Sequence, residues 1–203
     1  MKIKSFFFIA FSILITFNSL AQNQDRKFKI HTLAFYNLEN LFDTINDINK
    51  DDEKSPIMEI KFNRGKIYKQ KVSNMARVIS DIGYDITNRP PSIIGICEVE
   101  NRIVVEDLIA DERLSKVNYG IVHYDSPDKR GIDVSLLYNK DVFEVMNSKS
   151  HVLYINYNNT SNRSYTRDQL VVSGKLDGEL IHLIVNHWPS RGADETKRMA
   201  AAE

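Results

Sequence analysis

The stretch SIIGICEVE, residues 92–100, limits the fold more than any other. It is an apolar run of strand length, set off by Pro90 and Pro91, and it ends in two carboxylates and the amide of Asn101. Such a run belongs in a core. Alternation along it places Ile94, Ile96 and Glu98 on one side and Ile93, Gly95 and Cys97 on the other, so Glu98 emerges beside an apolar wall. An ionised carboxylate there needs a cation or several hydrogen-bond donors. A divalent metal is the partner that hard oxygen ligands attract best, and a salt bridge to Lys or Arg is the ordinary alternative.

Other segments follow the same logic. KFKIHTLAFYNLEN alternates and reads as a strand running out into a loop at Asn37. Residues 43–63 are polar and acidic and read as a long surface loop. Asp47, Asn49 and Asp51 stand at alternate positions there, but Asp52 occupies the place where a calcium loop needs Gly and Met58 the place of its bidentate Glu. From Arg64 to Ile82, apolar Ile67, Val72, Met75, Ile79 and Ile82 predict an amphipathic helix over a sheet, ending near Gly83. A short helix is predicted over residues 102–110. Strands are predicted at YGIVHY, IDVSLLYN and HVLYIN, and a hairpin at RDQLVVSGKL and LIHLIVNHW around Asp177-Gly178. Beyond Pro189 a further helix begins, with Ser190 or Asp194 as caps.

The first 21 residues read differently. Lys2 and Lys4 precede an apolar stretch from Phe6 to Phe17, and Ser19-Leu20-Ala21 offers small residues for cleavage, the pattern of a signal peptide. Export to the periplasm or the extracellular space is the expectation, with no stable membrane insertion once the leader is removed. The chain carries 27 basic and 27 acidic residues; without the two leader lysines the balance is 25 to 27, a net charge of −2. That excludes a broad basic footprint for a long polyanion, while a local Arg and Lys cluster can still grip one phosphate. Cys97 is the only cysteine, so the fold rests on its core and not on internal disulfides. With 42% hydrophobic residues in 203, one domain with a real core is within reach.

Three polar clusters leave strands at their C-terminal ends: NLEN, EVEN and NHWPSR. Their repetition predicts one shared rim. There Asn37 can donate to an oxyanion, Glu98 can hold a metal, and His187 can donate to a phosphoryl oxygen. Taken singly, Asn37 reads as a turn former and His187 as a strand-end histidine.

Together, FYNLENLFD, GICEVEN, KRGIDVSLLYN and NHWPSR resemble the endonuclease/exonuclease/phosphatase superfamily, the DNase I-like metal-dependent phosphoesterases, and especially its exported bacterial members. The resemblance covers about residues 30–203. It implies an α/β fold, a partial four-layer sandwich of two packed mixed β-sheets flanked by helices, with residues 28–203 as the N-terminal portion of such a domain. It implies a Mg²⁺ site, with Mn²⁺ or Ca²⁺ as substitutes, and a phosphate-ester substrate, nucleic acid among the candidates. It places the metal-binding role on Glu98, a phosphate- or water-positioning role on Asn37, and the scissile-phosphate role on His187 with Asn186 beside it. Arg167 resembles a phosphate-contacting Arg, and Arg130 with Asp133 matches a stretch typical of this branch. His31, His123, His151 and His182 match nothing catalytic.

The sequence departs from the superfamily pattern in two respects, lacking its later Asp-x-Asn motif and its terminal Asp-His pair. No Asp-His dipeptide occurs, and the one Asp-x-Asn, Asp47 to Asn49, lies before the metal Glu instead of after it. These 203 residues are therefore expected to be the N-terminal half to two thirds of the usual domain. The leading expectation is an exported metal-dependent phosphoester hydrolase; the alternative is a non-catalytic exported module that binds a phosphorylated or sugar ligand.

Overall fold

The structure, a computed structural model, describes residues 28–156, 161–190, 192 and 195–202. The leader lies outside the described residues, as does Asp194. Residues 31–203 form one compact unit; of residues 1–30 only 28–30 are described, and they carry no regular secondary structure. Among the described residues no helix is long and apolar enough to cross a membrane.

Two sheets carry the fold. In the first, β1 (Leu33–Leu41) runs parallel to β2 (Ile93–Val99), which pairs antiparallel with β4 (Asp133–Asn139); β3 (Tyr119–His123) closes the order β1-β2-β4-β3. The second joins β5 (Phe143–His151), β8 (Gln169–Leu176) and β9 (Glu179–Val185), all antiparallel, while β6 (Ile155–Asn156) and β7 (Arg163–Ser164) make a small separate pair. Of the two main sheets only the first is mixed.

The apolar strand β2 has company on both faces. Ile94 and Ile96 join Leu38, Val72, Ile79, Val105 and Leu108 in a core under two helices, α1 (Arg64–Asp81) and α3 (Arg102–Ala110). Ile93 and Cys97 join Phe143, Leu170, Val172 and Val185 in a second core between the sheets. Helices, mixed sheet and antiparallel sheet thus stack as consecutive layers, as the fold class requires. Ile94 and Ile96 are wholly buried, and each such side chain stabilises the fold by about 1.5–3 kcal/mol. Cys97 is 1% exposed, and burial pushes its thiol up to about 12, so it packs as a small apolar group.

The buried stripe of α1 is Tyr68, Val72, Ala76 and Ile79, not the one that begins at Ile67, which is 41% exposed. The helix is rotated because Tyr68 reaches inward to donate to Asp107 Oδ2 at 2.7 Å, and alanine lets α1 approach the sheet closely. Between α1 and the single-turn α2 (Tyr84–Thr87), Gly83 takes a φ of +68°, and a Cβ there would lie 2.5 Å from Thr32 Oγ1. Asn101 caps α3 by accepting from the Val104 N–H at 3.1 Å. A fourth helix, α4 (Glu195–Ala202), packs beside β6.

The hairpin forms as predicted, with Asp177 (φ +48°) and Gly178 (φ +94°) turning β8 into β9. Two expectations are corrected. The strand expected at HVLYIN is in fact the end of β5, which begins at Phe143, followed by short β6; the polar run Asn147-Ser148-Lys149-Ser150 conceals a strand whose outer face meets solvent. The acidic segment 43–63 is not wholly surface, for Asp52, Ser55 and Ile57 are buried within it, around a short 3₁₀ turn at Asp52–Lys54.

Candidate active site

A bulge builds the centre of the site. β2 keeps register with both neighbours up to Cys97 and regains it at Val99, so Glu98 is the extra residue, held at φ +60°. This corrects the alternation argument. Val99, not Glu98, continues the face of Ile94 and Ile96 and enters the helix-side core, because the bulge turns Glu98 out of the pleat. On β1 the strand does not end at Asn37 but continues to Leu41, with Glu39 and Asn40 both in left-handed conformation. Two adjoining irregularities therefore open a polar notch in an otherwise apolar sheet.

The notch is organised around one carboxylate. Asn37 Nδ2 donates to Glu98 Oε1 at 3.0 Å, and the Asn40 N–H donates to Oε2 at 3.0 Å. His187, two residues beyond β9, brings Nε2 to 3.3 Å from Glu98 Oε1. The structure therefore brings Asn37, Glu98 and His187 together, one from each polar cluster. Asn37 is fixed at its other end, where Oδ1 accepts from the Glu39 N–H at 2.7 Å. Lys71, on α1, donates to the carbonyls of Glu39 and Asn40 and so braces the turn that supplies the Asn40 N–H. Burial lowers its pKa, while Glu39 and Glu98 oppose that shift. Sequence reasoning missed Lys71; its one signal is its place beside Tyr68 and Val72 on the sheet-facing side of α1.

Arg167 is 7% exposed and largely committed to the protein. It donates through Nε to the His187 carbonyl at 2.9 Å, through one terminal nitrogen to the Trp188 carbonyl at 2.9 Å, and through the other to Asp128 Oδ2 at 3.2 Å. It thus locks the segment that carries His187. Asp128, 4% exposed and also missed from sequence, receives Arg130 as well, whose Nε lies 3.5 Å from Oδ1. Asn186 Oδ1 is buried without a hydrogen-bond partner, an acceptor that a water or ligand donor would satisfy. Burial first, then Arg167, lowers the pKa of His187 against the pull of Glu98, favouring the neutral imidazole.

Glu98 and His187 face a cavity of about 450 Å³, whose walls include Lys129, Arg130, Arg167 and Lys197. Asp51 and Asp128 share these walls, so four cations face three carboxylates, and the pocket suits an anion that arrives with, or meets, a positive charge at Glu98. His31, bonded to Ser92 Oγ and Asp177 Oδ2, and His182, bonded to Ser173 Oγ, stand outside it.

Residues 32–203 match the profile of the Endonuclease/Exonuclease/phosphatase family. The chain belongs to that family. No curated protein matches it in sequence. Among solved structures, an endonuclease/exonuclease/phosphatase from Bacteroides vulgatus is 17% identical with a TM-score of 0.50, covering 83% of this chain and 55% of that one. A mannosyl-6-phosphatase from Bacteroides thetaiotaomicron is 14% identical with a TM-score of 0.51, covering 85% and 56%. An endonuclease/exonuclease/phosphatase family protein from the same organism is 14% identical with a TM-score of 0.50, covering 86% and 57%. At these identities the likeness establishes the fold alone. This endonuclease/exonuclease/phosphatase chain spans little more than half the length of those structures.

Proposed function

We propose that the notch at Glu98 is the metal- and phosphate-binding end of an exported phosphoester hydrolase. One observation carries this: Asn37, Glu98 and His187, from separate elements of two sheets, meet at a single carboxylate oxygen in a cavity walled by cations. Family membership supports the reaction class.

The donor set suits Mg²⁺, which is characteristically bound through one or two carboxylates plus substrate phosphate, not by an all-protein cage. Glu98 supplies the carboxylate; its two oxygens accept three close contacts, leaving acceptor capacity toward the cavity. When bound there, the ion would polarise a phosphoryl oxygen and offset developing charge. The residues of this chain do the positioning. Asn37 and the Asn40 N–H hold Glu98 in one orientation, with Lys71 bracing the turn behind them. Neutral His187 has one N–H, which a phosphoryl oxygen placed between it and the cationic wall would take over from Glu98. Arg130, 57% exposed along its side chain and held to Asp128 only at 3.5 Å, can turn to a phosphate, whereas Arg167 acts mainly from behind by fixing His187 and adding its charge to the wall.

A single phosphate fits this pocket better than a polyanion track, since its cations cluster instead of forming a stripe. Small phosphate esters are thus the first substrates to test, with nucleic acid second. Residues 1–21 serve as the export signal in this reading. The test is hydrolysis of p-nitrophenyl phosphate and its diester by the protein as its own gene expresses it. Turnover should require Mg²⁺ or Mn²⁺ and vanish in EDTA; turnover that persists in EDTA, or ligand binding without turnover, would sink the proposal. N-terminal sequencing of the secreted protein checks cleavage after Ala21.

A further inference from the structure

The acidic segment that failed as a calcium loop has a second destination. Asp47 and Asp52 line a cavity of about 160 Å³ together with Glu100, which follows β2, and with Asp125 and Asp133, which flank the connection from β3 to β4. Five carboxylates therefore face one small space, and the single basic residue on its wall is Lys50, whose Nζ already donates to the carbonyls of Ser126 and Asp128. None of these residues lines the cavity at Glu98.

A cluster of acids alone proves little, since exposed acids are solvated. These are not all exposed. Asp52 is 1% exposed; Oδ2 accepts from the Asp47 N–H at 2.9 Å, yet Oδ1 is buried and accepts from nothing. Such an oxygen, on the wall of a cavity shared with four other carboxylates and beside Glu100, whose pKa burial and the neighbouring acids raise to about 8, needs either a shared proton or a cation. Asp133, 2% exposed, is already oriented: Oδ1 accepts from the Ser126 N–H at 2.8 Å, and His123 Nε2 lies 3.1 Å from Oδ2. His123, Asp125 and Asp133 present ligand atoms within 4.8 Å of one another. Glu100 is held on one side by the Asp43 N–H, which donates to Oε2 at 2.7 Å.

We propose that this cavity is a structural site for a hard divalent cation of the calcium class, distinct from the site at Glu98. The donors are oxygens from three separate segments, a number and flexibility that suit calcium's six to eight ligands better than the strict octahedron of magnesium. The ion would tie the acidic segment to the residue after β2 and to the connection before β4. Asp51, next to Asp52, already donates its N–H to the Lys129 carbonyl at 2.7 Å, so the two segments meet where the clamp would act.

The test needs no turnover. The metal-free chain is titrated with CaCl₂ by calorimetry at pH 7.5, and its melting is followed with and without the ion. With the site at Glu98 disabled by Glu98→Gln, the chain should bind one Ca²⁺ and gain at least about 3 °C in Tm, and the further variants are made in that background. Asp52→Asn should lose both effects. Should that variant fail to fold, Asp125→Asn, whose side chain is 85% exposed, takes its place and should weaken binding about tenfold. Absence of binding in Glu98→Gln, which is the outcome if a shared proton or a water completes Asp52, overturns the proposal. So does binding kept when Asp52→Asn is added to Glu98→Gln, or unchanged affinity when Asp125→Asn is added.

Discussion

His187 Nε2 stands 3.3 Å from Glu98 Oε1, so the segment leaving the last strand of one sheet closes on the bulge of the other. The contact exists only because Glu98 sits at φ +60° and escapes the pleat; a regular strand would have buried its carboxylate under α1 and α3.

That geometry separates two losses. Glu98→Ala should leave the fold intact, since a partly exposed polar notch and not an apolar core loses its filling, yet abolish Mg²⁺-dependent hydrolysis. His187→Ala should lower kcat/KM by roughly 100- to 1,000-fold. Circular dichroism checks the fold and a p-nitrophenyl phosphate assay the rate; wild-type turnover by Glu98→Ala would refute the assignment.

Arg167 is buried against Asp128, with two backbone carbonyls completing its partners. Arg167→Met should destabilise the chain by about 3–5 kcal/mol in urea unfolding, because it strands a buried carboxylate. Arg167→Lys should rescue little of this, since an ammonium cannot reproduce the planar fork that reaches all three acceptors. A loss under about 1 kcal/mol would mean that Asp128 finds Arg130 sufficient.

Much of this was legible in the residues. Apolar SIIGIC, the Asp177-Gly178 turn and the short helix over residues 102–110 each announce local structure, and the repeated polar strand ends announce Asn37, Glu98 and His187. What stayed hidden depends on contacts distant in the chain. The bulge at Glu98 is a property of two neighbouring strands, and Tyr68 replaces Ile67 on the buried stripe only because Asp107 waits across the helix pair. Asp128 gains its place in the site only through Arg167, 39 positions later. Polar β5 could not be seen because its burial pattern is weak outside Phe143 and Val145.

Gly174 tests the pairing of β5 with β8 inside the antiparallel sheet. A Cβ there would lie 2.4 Å from the Glu144 carbonyl oxygen and 2.4 Å from Phe143 Cζ, and the first of these is backbone that cannot step aside. Gly174→Ala should cost about 1–3 kcal/mol by forcing β5 and β8 apart. Gly178→Ala meets nothing within 4 Å, carries only the strain of an L residue at φ +94°, and should cost less. Equal losses in parallel urea titrations would contradict this order.

Asp168 gives the pH dependence. It is 8% exposed, and burial raises its pKa, while the Leu153 N–H, the Ser150 hydroxyl and Arg163 favour the ion and Asp133 disfavours it. Because the folded value lies above the unfolded one near 3.9, the folded chain holds the proton more tightly. The stabilisation from that extra affinity is complete below the unfolded pKa and is lost as pH rises through the folded one. Asn cannot titrate, so the stability of wild type relative to Asp168→Asn should fall from pH 4 upward and then level off. Urea midpoints of the two proteins across pH 4–8 measure the difference. A difference that grows in favour of wild type with rising pH would show that the hydrogen bonds from Leu153 and Ser150 outweigh burial.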